Sequence, residues 1–176
     1  MRRARREPSV HTARAVVYEG AMIERPTPTL ADAAAHLSGR LIPGGHSLPV
    51  RVYYEDTDFS GIVYHANYLK FAERGRTELL RAAGYDHQTL LEKEGLLFIV
   101  RKMEIDYQAP ARLDDILTVK TSIKELKNAS FLMNQSIFCH EVLVCSLVVT
   151  LVCVTKDIKP IRMPDSMRAS FDKFAE

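Results

Sequence analysis

Apolar and small residues between residues 68 and 83 recur at the three- and four-residue spacing of one helix face. The stripe consists of Tyr68, Ala72, Gly75, Leu79 and Ala83. Gly84 then offers a C-terminal stop, and a second short helix is predicted for residues 86–94. The pattern predicts one long amphipathic helix whose small residues let it lie close to its neighbours.

From Leu97 onward the chain changes to the composition of β-strands, rich in Val, Ile, Thr and Phe. The predicted strands are Leu97–Tyr107, Ile116–Leu126, Ser130–Cys139 and Leu143–Thr155, with an earlier one at Leu48–Tyr54. The breaks at Lys127-Asn128 and His140-Glu141 have hairpin length, so neighbouring strands run antiparallel. The pattern predicts an α+β fold with a mainly antiparallel, five-stranded sheet.

The last predicted strand lacks the alternation of a half-exposed strand. One face carries Leu143, Cys145, Leu147, Val149, Leu151 and Cys153, and the other carries Val144, Val148, Val152 and Val154. Both faces of this strand therefore need cover. One helix covers only one face of a sheet, so we expect the second face, or the edge, to contact another subunit. The pattern favours a homo-oligomer.

The composition is that of one folded domain, with 176 residues, 47% hydrophobic and 26% charged. The net charge of +2 is concentrated in residues 1–21, which hold five arginines, and this argues against a nucleic-acid partner. No apolar run reaches the roughly 18 residues of a membrane span, and the arginine-rich start lacks the apolar core of a signal peptide. We therefore expect a cytoplasmic protein without membrane insertion.

Residues 1–46 are predicted to form an N-terminal extension that is partly disordered, with one short helix at Leu30–Leu41. The cysteines are Cys139, Cys145 and Cys153, all in apolar strand sequence without Cys-x-x-Cys spacing. That arrangement supports neither a disulfide framework nor a zinc site. It predicts small buried hydrophobic residues.

The densest set of reactive side chains lies between the first strand and the long helix. It contains Glu55, Asp56, Asp58, His65 and four tyrosines, Tyr53, Tyr54, Tyr64 and Tyr68. A helix N-terminus presents unpaired N–H groups that can hold an oxyanion, and a nearby carboxylate can attack a carbonyl or activate water. The residues alone also allow a turn and helix-capping cluster, with Gly61 as a tight turn. A metal site of oxygen ligands is disfavoured, because the spacing fits no EF-hand loop and only His65 is close.

As a string, these residues resemble a family motif. Residues 53–68 read Tyr-Tyr-Glu-Asp-Thr-Asp-Phe-Ser-Gly-Ile-Val-Tyr-His-Ala-Asn-Tyr. They resemble the hotdog-fold acyl-CoA thioesterases of the 4-hydroxybenzoyl-CoA thioesterase family, most closely the YbgC-type, Tol–Pal-associated branch. The resemblance covers about residues 48–165 and continues through Phe71–Arg74, Asp106-Tyr107, Pro110-Ala111, Leu113–Asp115 and Lys159-Pro160 with Arg162 and Pro164.

By position, the resemblance implies that Asp58 is the catalytic carboxylate, with Tyr54 and His65 as its partners. Asp58 is expected to act as nucleophile or as general base on water, while the backbone N–H of His65 polarises the thioester carbonyl. Glu73, inside the helix, is the second candidate carboxylate. Further substrate contacts are assigned to Phe59, Gly61, Val63, Tyr64 and Asn67.

The resemblance also implies an architecture and partners. It implies a hotdog fold over residues 47–165, a five-stranded antiparallel sheet wrapped around a central helix, with a tail or short helix over residues 166–176. Subunits are expected to pair into a continuous sheet, to build each site from both chains, and to assemble as a dimer of dimers.

The implied reaction is hydrolysis of short-chain acyl-CoA, with no metal and no cofactor beyond the coenzyme A of the substrate. One alternative is a low-turnover binding module for acyl carrier protein or phospholipid-synthesis enzymes. Another is an aryl-CoA or long-chain acyl-CoA thioesterase.

Overall fold

The computed structural model describes residues 37–175, and its main feature is one antiparallel sheet. The strands are β1 (Arg40–Ile42), β2 (Gly45–Arg51), β3 (Leu97–Tyr107), β4 (Ile116–Leu126), β5 (Ser130–Cys139) and β6 (Val142–Val154). They lie in the order β1-β2-β4-β5-β6-β3, and each neighbouring pair is antiparallel. β1 and β3 are therefore the two edges of the sheet.

One long helix, α1 (Asn67–Ala82), packs on one face of this sheet. Gly75 makes the close approach possible, because a Cβ built there would lie 2.8 Å from Val119 Cγ1 and 2.9 Å from Thr121 Oγ1. The short helical segments are α2 (His87–Thr89), a π-helical turn at Leu90–Glu94, α3 (Asp165–Phe171) and a 3₁₀ turn at Asp172–Phe174. The small residues of the predicted helix stripe thus meet the centre of the sheet.

The core lies between α1 and the sheet. Near the start of α1 it contains Tyr68 and Phe71, and towards the end of α1 it contains Leu79 with Phe131 and Phe171. Along β4, β5 and β6, alternate residues are buried in this core, and most residues between them are partly or fully exposed. Within residues 37–175, no helix is both long and apolar enough to cross a membrane.

The predicted class and the antiparallel sheet around one helix are confirmed, and β3, β4 and β5 have the predicted bounds. The strand number needs correction, because Arg40–Ile42 pairs with Gly45–Ser47 as a sixth strand. The sheet therefore starts inside residues 1–46, which we expected to form an extension. The predicted helix Leu30–Leu41 does not reach its expected end, and its residues 30–36, like the rest of the extension before Leu37, lie outside the described residues.

Candidate active site

Hydrogen bonds to one buried aspartate, Asp56, fix the loop between β2 and α1. Tyr54–Asp56 form a short 3₁₀ turn, and the Asp56 carboxylate accepts a hydrogen bond from the Tyr53 N–H at 2.9 Å. The Asp56 carbonyl accepts two more, from the Tyr64 N–H and the Asn67 side-chain amide, both at 2.9 Å. Asp56 therefore has a structural role and ties the loop to the start of α1.

Asp58, by contrast, is exposed in a tight turn. Its N–H donates to the Ile62 carbonyl and its carbonyl accepts from the Gly61 N–H, both at 3.0 Å. The hydroxyl of Ser60 and the Ser60 N–H, the latter at 2.8 Å, donate to Asp58 Oδ1. These two hydrogen bonds hold the pKa of Asp58 below its usual value, and the nearby charge of His65 lowers it further. Asp58 is thus a fixed, ionised carboxylate that faces solvent.

His65 lies in the last turn before α1, with an exposed ring 4.4 Å from the Tyr64 ring, centroid to centroid. The Tyr107 hydroxyl at the end of β3 donates to the His65 carbonyl at 3.0 Å, which fixes this peptide. Among residues 37–175, the His65 N–H donates to no acceptor. A fixed, unpaired N–H at the start of a helix is suited to hold a developing oxyanion.

An exposed group of aromatic residues flanks Asp58 along the chain. Its members are Phe59, Tyr54, Tyr53 and Tyr64, with exposed fractions of 109%, 81%, 59% and 45%. Exposed aromatic residues grouped in one loop indicate a contact surface for a ligand or a partner. Tyr54 lies on the same loop as Asp58, but no hydrogen bond joins the two side chains among the described residues.

Three residues that we expected to contact substrate have structural positions. Gly61 adopts φ +74° with nothing within 4 Å of an added Cβ, so the turn, not packing, requires glycine there. Val63 lies in the core, and its N–H donates to the Ala111 carbonyl at 2.8 Å. Asn67 is buried, with its amide on the Asp56 carbonyl. Val63 and Asn67 are buried in the single chain and support the loop from below, and their contact with substrate stays a prediction.

Glu73, the second candidate carboxylate, lies about 9 Å further along α1 than Asn67 at 1.5 Å per residue. It forms an ion pair with Arg76, whose side chain is 7% exposed and also donates to Gln135 Oε1 at 2.7 Å. A buried guanidinium needs such a counter-charge. Glu73 therefore serves as the counter-charge of Arg76, whereas Asp58 forms no ion pair among the described residues.

The cysteines offer no competing nucleophile. Burial raises the pKa of Cys145 to about 12 and that of Cys153 to about 11, so both thiols stay protonated at neutral pH. Burial also raises the pKa of Cys139, which is partly exposed, and all three are free thiols. In the described range 37–175, no group of three or more His, Cys, Asp or Glu could hold a metal ion.

Sequence reasoning missed the roles of Ser60 and Tyr107. The Asp-x-Ser spacing of Asp58 and Ser60 is typical of a turn closed by the aspartate side chain, so this contact had a local signal. Tyr107 lies 42 residues after His65, and only the packing of β3 beside the loop brings the two together.

Comparison with known proteins shows which family the chain resembles in sequence and structure. The sequence profile of the thioesterase-like superfamily matches residues 52–171. The chain is 44% identical over 132 residues to acyl-CoA thioesterase YbgC of Haemophilus influenzae, a match that covers 74% of this chain and 97% of that protein. It is 46% identical over 125 residues to acyl-CoA thioester hydrolase YbgC of Escherichia coli O6:H1, covering 70% and 92%.

Among solved structures, a probable thioesterase from Bartonella henselae matches with a TM-score of 0.67 and 45% identity, covering 68% of this chain and 99% of that one. The relatives thus span the hotdog region that the motif indicated, and they confirm the resemblance. The chain belongs to the thioesterase-like superfamily and has its hotdog fold.

Proposed function

We propose that this protein is an acyl-CoA thioesterase that hydrolyses acyl-CoA esters to a free acid and CoA, with Asp58 as the reacting carboxylate. The observation that carries the assignment is an exposed, ionised Asp58 within electrostatic reach of His65, whose unpaired N–H lies just before α1. The family and the two relatives described as acyl-CoA thioester hydrolases support the reaction.

In the reaction, Asp58 either attacks the thioester carbonyl or takes a proton from an attacking water. In the water route, the new C–O bond forms as the proton passes to Asp58, and the carbonyl electron pair moves to the oxygen held by the His65 N–H. Collapse of this intermediate breaks the C–S bond and expels the CoA thiolate, which recovers the proton. Because a thiolate is a good leaving group, the site needs no strong acid.

The neighbouring side chains position the reactants. Tyr54 and the imidazole of His65 orient Asp58 or the attacking water. Phe59, Gly61 and Tyr64 lie on the exposed side of the loop, where substrate approaches. In this proposal, only Asp58 and the backbone N–H of His65 act directly on the reacting atoms.

We assign the homo-oligomer to the free edge of β3. Among the described strands, this 11-residue strand pairs only with β6, and Val100 on it is 48% exposed. An open edge of this length is a template for another strand. Antiparallel pairing of two β3 strands puts the start of one beside Tyr107 at the end of the other, so each site includes both subunits.

We assign the cytoplasm as the location, because polyanionic CoA esters do not cross membranes unaided.

We assign short-chain acyl-CoA as the substrate, on the resemblance to the YbgC-type branch. Thiol release from acyl-CoA esters of increasing length, benzoyl-CoA and acyl carrier protein thioesters tests the substrate assignment, with Asp58→Asn as the inactive control.

We expect the highest kcat/KM for short acyl-CoA. A maximum for long or aryl esters contradicts the substrate class. No release from any ester, together with binding of acyl carrier protein, favours the binding module instead.

A further inference from the structure

The turn at the start of α1 presents two unpaired N–H groups, and the proposed reaction uses one of them. The Asn67 N–H donates to the Tyr64 carbonyl at 2.8 Å, which closes a turn with His65 and Ala66 at its two central positions. Within residues 37–175, the N–H of neither central residue has a hydrogen-bond acceptor. Ala66 has helical backbone angles, φ −71° and ψ −19°, so its N–H points out of the start of α1. The N–H of Ala66 is therefore free to bind an oxygen beside the N–H of His65.

Each of these two N–H groups belongs to a peptide unit whose carbonyl is held by a hydrogen bond. The His65 N–H shares a planar unit with the Tyr64 carbonyl, which the turn fixes. The Ala66 N–H shares the next unit with the His65 carbonyl, which accepts from the Tyr107 hydroxyl at 3.0 Å. A planar peptide unit turns as one body, so Tyr107 sets the direction of the Ala66 N–H. Donation to the carbonyl also polarises the N–H of the same unit and makes it a better donor.

Tyr107 is itself held by the sheet. Its backbone pairs with Cys145 of β6, and its ring meets the Tyr68 ring edge-on, with centroids 5.7 Å apart. Burial raises the pKa of Tyr107, so the hydroxyl keeps its proton and can donate at neutral pH. The Tyr68 hydroxyl has a different partner, since it accepts from the Ala111 N–H at 3.2 Å. The two neighbouring tyrosines thus hold different backbone groups, and Tyr107 holds the one beside the free N–H groups.

We propose that the Ala66 N–H is a second donor to the oxyanion, beside the His65 N–H, and that Tyr107 is its positioning residue. As the thioester carbon becomes tetrahedral, the carbonyl electron pair moves to the oxygen, and that oxygen accepts from both N–H groups. Tyr107 touches no reacting atom and acts through the peptide unit that joins residues 65 and 66. The inference rests on the proposed function, but polarisation of a bound carbonyl is measured without turnover.

Steady-state kinetics of the full chain, with the acyl-CoA ester that the wild type hydrolyses fastest, compares Tyr107→Phe with Tyr68→Phe. Each variant keeps its ring and loses one hydroxyl that binds the backbone, so Tyr68→Phe is the matched control. We expect kcat of Tyr107→Phe to fall by about 10-fold, less than the roughly 100-fold or more lost when an oxyanion donor is removed outright. KM should change little, because the charge on the oxygen develops only in the transition state. Tyr68→Phe should keep kcat within about twofold of the wild type.

A ketone analogue tests the same contact without turnover. In acetyl-CoA with a methylene group in place of the thioester sulfur, the carbonyl cannot be hydrolysed, and hydrogen bonds to its oxygen lower its stretching frequency. Infrared difference spectra should show this lowering in the wild type and in Tyr68→Phe, and a smaller lowering in Tyr107→Phe. If the wild type releases no thiol from any ester but shows this pattern, the proposed hydrolysis is wrong and the contact from Ala66 stands.

Three results overturn the inference. They are kcat of Tyr107→Phe within about twofold of the wild type, equal losses of kcat in Tyr107→Phe and Tyr68→Phe, and the same carbonyl frequency for the analogue bound to Tyr107→Phe and to the wild type. Because Tyr107→Phe keeps the ring that packs on Tyr68, its fold should be intact, which circular dichroism and thermal unfolding confirm. A fall in kcat with KM preserved and a weaker carbonyl shift is a pattern that general loosening of the fold does not produce.

Discussion

Ser60 is the residue that most affects the charge state of Asp58. Its hydroxyl and N–H hold the pKa of Asp58 below the usual value, so the carboxylate is lost only as the pH falls through that low value. In Ser60→Ala the hydroxyl bond is gone and the pKa of Asp58 rises. The acid-side fall of kcat/KM should therefore begin at higher pH than in the wild type.

A kcat/KM profile against pH measures this shift. Ser60→Thr keeps a hydroxyl and should keep the wild-type profile. If Ser60→Ala also keeps it, another group controls the acid limb.

His65 has two contributions that substitution separates. The backbone N–H survives in His65→Ala, and only the imidazole is lost. We expect a smaller loss of kcat/KM than the roughly 100-fold expected when a reacting carboxylate is removed. Steady-state thiol release is measured for His65→Ala and for Asp58→Asn, and the two losses are compared. An equally deep loss in His65→Ala identifies the imidazole as the principal base, whereas an unchanged rate leaves only the backbone N–H in the reaction.

At the scale of elements, the contact of α1 with the sheet depends on Gly75. An added Cβ meets Val119 and Thr121 at less than van der Waals distance. Gly75→Val should therefore lower the free energy of unfolding by about 1–3 kcal/mol, the usual cost of overpacking a close contact. Denaturant unfolding measures it. As a control, Lys70→Val introduces the same side chain on the exposed side of α1 and should change the free energy of unfolding by less than about 0.5 kcal/mol. Equal effects of the two variants would contradict the close contact of Gly75 with the sheet.

The predicted and observed strands together show which parts of the sheet are determined by local sequence. β3, β4 and β5 were predicted to the residue, because runs of β-branched residues end in clear turns. β1 was missed, because only pairing with β2 makes a strand of Arg40–Ile42. In the proposed site, one contiguous motif points to Asp58 and His65, and their roles stay predictions. The contact from Tyr107 depends on tertiary packing, which spacing along the chain does not reveal.

At the scale of the whole molecule, the proposed site requires two chains. If the edges of β3 pair, each Asp58 loop works beside the partner subunit, and activity per chain should fall on dilution once the particle separates. Thiol release per chain, measured from micromolar to nanomolar protein alongside mass photometry, follows both quantities. Concentrating the diluted sample should restore activity. Constant activity per chain in a range where only single chains are present contradicts a shared site.

The central claim is that Asp58 is the reacting carboxylate, and Asp58→Asn tests it most directly. The amide is nearly isosteric, but it can neither attack a carbonyl nor accept a proton, so kcat should fall by about 100-fold or more while substrate binding and the fold persist. Glu73→Gln, which changes the other candidate carboxylate in the same way, should retain most of the activity. Near wild-type turnover in Asp58→Asn, with the loss found in Glu73→Gln, would place the reaction on α1 and contradict the account.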